Sequence, residues 1–153
     1  MLIRTMRPAD IEEVTRIERT SFSQPWTEDG FRAALESSDT LLTVAEEEQK
    51  IVGYICMYQS FEEGEITNVA VDEAYRGRHI GKVLLKKTVQ MAKERGVTRI
   101  ILEVRVSNAP AICLYEKAGF QKLGIRKAFY DFPKEDAWMM DLKINVTIQN
   151  SLE

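Results

Sequence analysis

Cysteine and histidine are almost missing from this chain, and each shortage removes a class of chemistry. Cys56 and Cys113 are the only cysteines in 153 residues. Two thiols cannot build the disulfide framework of a small secreted domain, so a reducing compartment is expected. The single histidine, His79, excludes a histidine-rich metal site, and no Cys-x-x-Cys spacing replaces it. No apolar run nears the roughly 20 residues that cross a bilayer, and the N-terminus lacks the basic-then-apolar layout of a leader. Neither charge sign dominates: the net charge is −3, which argues against nucleic acid as the main partner. Repeats, low-complexity tracts and Pro/Gly-rich linkers are absent as well. What is left, 44% hydrophobic and 29% charged residues, suits one soluble domain with a single core. One domain over residues 1–145, a loose polar tail over 146–153 and a cytoplasmic location are expected.

The patterning predicts a mixed α/β protein. Leu2 to Thr5 read as a short first strand. Ile11, Val14 and Ile17 recur at helical spacing after Asp10, which suits an N-cap. Phe22 to Trp26 form a loop, and Thr27 opens a second helix with Glu28 and Asp29 in its first turn. Leu41–Ala45 and Ile51–Tyr58, joined by a polar turn, read as a hairpin, and Glu65–Val71 as a further strand. A basic loop, 76–82, feeds a helix ended by Gly96. Arg99–Val104 is a strand with Ile100, Leu102 and Val104 on one face and Ile101 and Glu103 on the other. Asn108 caps the next helix, with Pro110 in its first turn, where a missing N–H costs little. Strands near 121–127 and 137–144 close the order.

Three features could carry chemistry. The loop Arg76-Gly77-Arg78-His79-Ile80-Gly81-Lys82 joins a strand to a helix, so free N–H groups and the helix dipole favour an anion there. Five Lys or Arg residues and no acid lie between Arg76 and Lys87, which fits a ligand with several phosphates. An ordinary glycine turn with a solvated basic face is the plainer alternative. The glycine spacing matches neither a Walker A loop nor a dinucleotide fingerprint. Glu103, ending a buried strand face, gains proton affinity if desolvated and then serves as a general base. Its plainer alternative is a solvated strand end paired with Arg105. Tyr115, on the following helix, can donate a proton through its hydroxyl, or simply pack. Cys56 and Cys113 read as buried packing, since free cysteine is commonly core and no histidine stands ready to activate Cys113.

The order and close spacing of these segments resemble the GCN5-related N-acetyltransferase (GNAT) superfamily. More narrowly, the chain is similar to the bacterial ribosomal-protein-alanine N-acetyltransferases. The resemblance is carried by Phe22-x-x-Pro25-Trp26-Thr27, Asn68-x-Ala70-Val71, Leu102-Glu103-Val104-Arg105-x-Ser107-Asn108, Ala111-Ile112-x-Leu114-Tyr115-Glu116 and Glu135-Asp136-Ala137. It runs from about Ile3 to Leu142. It implies a GNAT fold: a twisted, mostly antiparallel mixed sheet of six or seven strands with about four helices.

The resemblance also implies a reaction. Acetyl-CoA is the donor, with no metal, and the acceptor is the α-amine of a protein N-terminus, foremost the N-terminal alanine of a small-subunit ribosomal protein. The backbone of Val69, Ala70 and Val71 would meet the pantetheine arm, and the 76–82 loop the pyrophosphate. Asn108 would contact the cofactor as well. Glu103 falls on the general base and Tyr115 on the acid that protonates the departing thiolate. An α-amine has a reference pKa of roughly 7.7–8.0 and a thiol about 8.5, so mild proton help suffices and positioning supplies most of the acceleration. Direct transfer in a ternary complex is therefore expected. Two positions depart from the pattern: His79 stands where glycine is usual, and Asp131 where proline often follows two aromatics. Trp26 and Phe22 either line the acceptor groove or pack as an ordinary loop. The rival readings are an acetyltransferase of broader acceptor range, a non-catalytic acyl-CoA-binding module and a nucleotide binder.

Overall fold

The computed structural model describes residues 1–145; the expected tail at 146–153 lies outside them. Seven strands form one sheet in the order β1-β2-β3-β4-β5-β7-β6. They are β1 (Leu2–Thr5), β2 (Thr40–Glu47), β3 (Lys50–Ser60), β4 (Glu63–Val71), β5 (Arg99–Arg105), β6 (Gln121–Tyr130) and β7 (Glu135–Lys143). Every neighbouring pair is antiparallel except β4 and β5. Four α-helices flank the sheet: α1 (Ile11–Ser21), α2 (Glu28–Glu36), α3 (Ile80–Glu94) and α4 (Ala109–Lys117). The mixed, mostly antiparallel sheet and its four helices agree with the fold expected from the sequence.

Two apolar layers sandwich the sheet. On one face Leu84, Leu85 and Ala92 of α3 and Ile112 and Tyr115 of α4 pack against Ile55, Ile66, Ile100, Leu102 and Val104. On the other, Ile11, Val14 and Ile17 of α1 and Phe31 and Ala34 of α2 pack against Val44, Tyr54, Cys56 and Ala70. Strands β2 and β3, covered on both sides, are near-continuous apolar runs.

Local chemistry sets the element ends. Thr27 caps α2 by accepting the N–H of Gly30 at 3.2 Å. Helix α3 ends in a Schellman turn: Gly96, at φ +84°, donates to Lys93, and Val97 donates to Ala92. Gly119 ends α4 the same way. Asp10 precedes α1 as expected, but its carboxylate does not cap the helix. It instead accepts two bonds from the Arg4 guanidinium, at 2.7 and 3.0 Å, and the N–H of Arg7 at 2.8 Å. Ion pairing out-competed capping here. Cys56 is buried as expected, but Cys113 is exposed, because it sits on the outer side of α4 between the inward Ile112 and Tyr115.

Candidate active site

The site arises where the one parallel pair comes apart. Strands β4 and β5 are in register only from Glu63 to Glu65, opposite Arg99 to Ile101. Beyond this, β4 continues to Val71 and β5 to Arg105 without pairing with each other, leaving a cleft in the middle of the sheet. A β-bulge at Thr67 lies near its start: Met57 pairs with Ile66, but Cys56 pairs with Asn68. The extra residue reverses the facing of β4. Ile66 packs on the α3 layer, while Asn68 and Ala70 are buried on the side of α1 and Val69 and Val71 pack back on the α3 layer.

At the C-terminal end of β4 the chain turns through Asp72, whose carboxylate accepts the N–H of Ala74 at 3.1 Å and a bond from Arg16 at 2.8 Å. The basic loop follows. His79 is in the left-handed region, at φ +61°, and precedes α3 without any side-chain cap, so the first-turn N–H groups of Ile80, Gly81 and Lys82 have no capping acceptor. Histidine thus does take the backbone shape that glycine usually serves there. Gly77, at φ +81°, has nothing within 4 Å of where a Cβ would stand. Arg76 donates to the carbonyl of Val71 at 3.2 Å, and Arg78 lies 5.1 Å over the Tyr75 ring. Uncapped amides beside cations that form no ion pair among the described residues fit the pyrophosphate of coenzyme A by charge and donor set. Asn108 caps α4 through its Oδ1, 3.2 Å from the N–H of Ala111, and its exposed amide nitrogen remains available.

Glu103 and Tyr115 flank the cleft from opposite sides of the sheet. Ile100, Leu102 and Val104 face α3 and α4, so alternation turns Ile101 and Glu103 to the α1 face. Tyr115 belongs to the α3–α4 layer, with its ring 5.6 Å from Phe120. Burial raises the Glu103 carboxyl above the usual carboxylate value, Glu65 adds to this by repulsion, and Arg126, 3.8 Å away, opposes it. The partner considered from sequence, Arg105, is engaged elsewhere, bonding Glu135 at 3.2 Å and the carbonyls of Pro133 and Asp131. Burial, and then Tyr130, push the Tyr115 hydroxyl well above its ordinary value, so it stays protonated at neutral pH. Tyr130 is raised to about 12, by burial first and then by Glu103.

Of the residues at the site, Glu65 and Tyr58 escaped sequence reasoning. Glu65, Arg126 and Tyr130 surround Glu103, and Tyr58 joins Glu65 to the loop at Trp26: Tyr58 pairs with Glu65, and its ring is 6.5 Å from that of Trp26. Only the strand pairings bring these positions together, so no local pattern announces them. The β6–β7 tip is held over this face by Arg105, whose guanidinium lies 4.4 Å over Tyr130, and by Glu135, which accepts the N–H of Ser107 at 2.7 Å. Among the described residues no group of three or more His, Cys, Asp or Glu is arranged to hold a metal, and no helix is long and apolar enough to cross a membrane.

A cleft between parallel strands, a basic amide cradle at a helix start, and a raised carboxyl and a protonated phenol on opposite faces have the groups that acyl transfer uses. Residues 11–120 match the Acetyltransferase (GNAT) family, and the chain belongs to it. It is an acetyl-CoA-dependent N-acetyltransferase, so the binding-module and nucleotide-binder readings are not favoured. A Bacillus subtilis protein named as a candidate [ribosomal protein bS18]-alanine N-acetyltransferase is 41% identical over 144 residues, 94% of this chain and 95% of the relative. The [ribosomal protein bS18]-alanine N-acetyltransferase of Escherichia coli K12 is 32% identical over 94% of this chain and 98% of its own length. The crystal structure of the Escherichia coli ribosomal-protein-S18-alanine N-acetyltransferase superposes with a TM-score of 0.89 at 30% identity, covering 97% of each chain.

Proposed function

We propose that the acceptor is a protein N-terminus, and that the N-terminal alanine of ribosomal protein bS18 is the main one, in the cytoplasm. The observation that carries the reading is the near full-length likeness to relatives named for that reaction. The disposition of charge supports it. Glu103, Glu65, Tyr58 and Trp26 line one face of the cleft, where an ammonium would meet two carboxylates and an aromatic wall.

Acetyl-CoA supplies an activated thioester acyl group. We assign its pantetheine arm to the backbone of Val69, Ala70 and Val71, and its phosphates to the loop from Arg76 through Gly77, Arg78, His79, Ile80 and Gly81 to Lys82, with Asn108 as a further contact. Glu103 takes a proton from the incoming ammonium, directly or through one water, and its raised proton affinity narrows the gap to the amine. Tyr115, on the opposite face, gives its hydroxyl proton to the departing sulfur. The nitrogen forms the new bond to the acetyl carbon as the carbon–sulfur bond breaks, and then sheds its second proton through solvent to the Tyr115 phenolate. Of the two protons the ammonium loses, one is on Glu103 and the other replaces the proton that Tyr115 gave to sulfur. No residue of the chain need carry the acetyl group.

The test is intact mass of peptides beginning with Ala, Ser or Met, an acetyl-blocked peptide and a lysine-bearing control, after incubation with acetyl-CoA. One added acetyl group on the free Ala peptide is expected. Acetylation spread evenly over the panel would replace the alanine reading with a broader one, and none at all would remove the N-terminal acceptor.

A further inference from the structure

The functional reading leaves unused a polar cluster buried between α1 and the sheet. Glu18, on α1, is only 2% exposed. One carboxylate oxygen accepts the hydroxyl of Tyr54 on β3. The other accepts both the amide nitrogen of Asn68 on β4, at 3.1 Å, and the backbone N–H of Trp26, at 3.1 Å. All three partners are neutral. A buried carboxylate is costly unless its bonds are made, and an aliphatic side chain would fill this space without needing them. What the carboxylate adds is a fixed geometry among three separate elements.

Two of those elements border the two substrates. Trp26 ends a loop in which Phe22, Ser23 and Gln24 are exposed, and it brings the chain onto the face that holds Glu103. Asn68 stands between the bulge at Thr67 and the Val69–Val71 edge of the cleft. Because a carboxylate only accepts, it can face only the nitrogen of the Asn68 amide, which fixes that amide's orientation and leaves Oδ1 buried without a partner among the described residues. Both ties converge on one oxygen atom. The geometry points to Glu18 as a positioning residue of acetyl transfer, tying the acceptor wall at Trp26 to the donor strand at Asn68 so that the two sites keep a fixed spacing. This rests on the proposed acceptor side only in placing Trp26 there. Transfer between two bound substrates is sensitive to such spacing, with about a 100-fold loss for a displacement near 1 Å.

The test compares two variants that disturb the same carboxylate. Glu18→Met keeps the side-chain length but removes both acceptor oxygens, breaking the ties to Trp26 and to Asn68. Tyr54→Phe removes the third donor, keeps both ties, and provides a stability control. Kinetics are read with any N-terminal peptide that the unaltered enzyme acetylates, alongside Tm and acetyl-CoA affinity. Glu18→Met is expected to raise the acceptor KM about tenfold and lower kcat about tenfold, with acetyl-CoA Kd within about twofold, whereas Tyr54→Phe leaves KM and kcat within about twofold. Equal kinetic effects of the two variants, or an unchanged KM in Glu18→Met, would overturn the inference. Hydrogen exchange on the unaltered enzyme checks the tie without any variant: the Trp26 amide should exchange about 100-fold slower than those of Ser23 and Gln24. Equally fast exchange at all three would overturn it too. If no peptide is acetylated, the acceptor reading fails, and exchange still decides the tie.

Discussion

Arg126 and Glu103 stand with Nη1 3.8 Å from Oε1, a loose ion pair across the outer strands of the sheet. Glu65 repels the same carboxylate from the other side of the cleft. The proton affinity of the proposed base is therefore a balance of burial and a neighbouring acid against one cation. Glu103 acts without its proton, so activity is lost as pH falls through its raised pKa. Arg126→Ala should move the acid limb of kcat/KM to higher pH, and Glu65→Gln should move it lower. Shifts in the same direction for both variants would show that another group sets that limb.

Glu103→Gln should lower kcat/KM about 100-fold near pH 7, with a smaller loss above pH about 8.5, where the acceptor amine sheds its proton unaided. A loss equal at every pH would speak for a positioning effect alone.

Tyr115→Phe keeps the ring in its apolar layer and deletes the hydroxyl. Turnover should fall about tenfold to 100-fold while acetyl-CoA Kd stays within about twofold. Full turnover in this variant would remove Tyr115 as the acid.

Asn108 combines a cap with a proposed cofactor contact, and two substitutions separate them. Asn108→Ala should cost about 1 kcal/mol of stability, or roughly 2–4 °C in Tm, and weaken coenzyme A binding. Asn108→Asp keeps a capping oxygen and hence Tm, yet should weaken binding as well, because a carboxylate repels phosphate. Intact affinity in both variants would restrict Asn108 to capping.

Asp10 links pH to stability. Burial opposes its ionised form, but bonds from Arg4 and from the N–H of Arg7 prevail and hold its carboxyl below the usual value. Its contribution is therefore full above the unfolded pKa of about 3.9 and is lost as pH falls through the lower folded value. In Tm scans from pH 7 to 2.5, Asp10→Asn should melt lower than the parent at pH 7, and the gap should close toward pH 2.5. A constant gap would mean that Asp10 does not titrate with unfolding.

Most elements were legible before folding, because local physics fixes them. The 3.6-residue spacing of Ile11, Val14 and Ile17, the Thr27 and Asn108 caps, and the glycines after α3 and α4 each act within a few neighbours. The basic loop was visible for the same reason: its charges and its turn are contiguous. Cys113 misled, since a residue's facing on α4 depends on which side of the helix meets the sheet. Asp10 misled because the preceding strand supplied Arg4, a stronger partner than the helix start.

The sequence by itself determined the alternation of elements, the contiguous basic loop before α3 and the residue types available for proton transfer. Tertiary structure alone decided where β4 and β5 stop pairing, and so where the cleft opens. It also decided that Glu103 and Tyr115 approach from opposite faces, that Glu65 and Arg126 set the charge around Glu103, and that Glu18 reaches Trp26, Tyr54 and Asn68 at once. The reason is range. Capping and periodicity act over one or two turns of chain, whereas desolvation and pairing between strands depend on residues that only the closed sheet brings within a few ångströms.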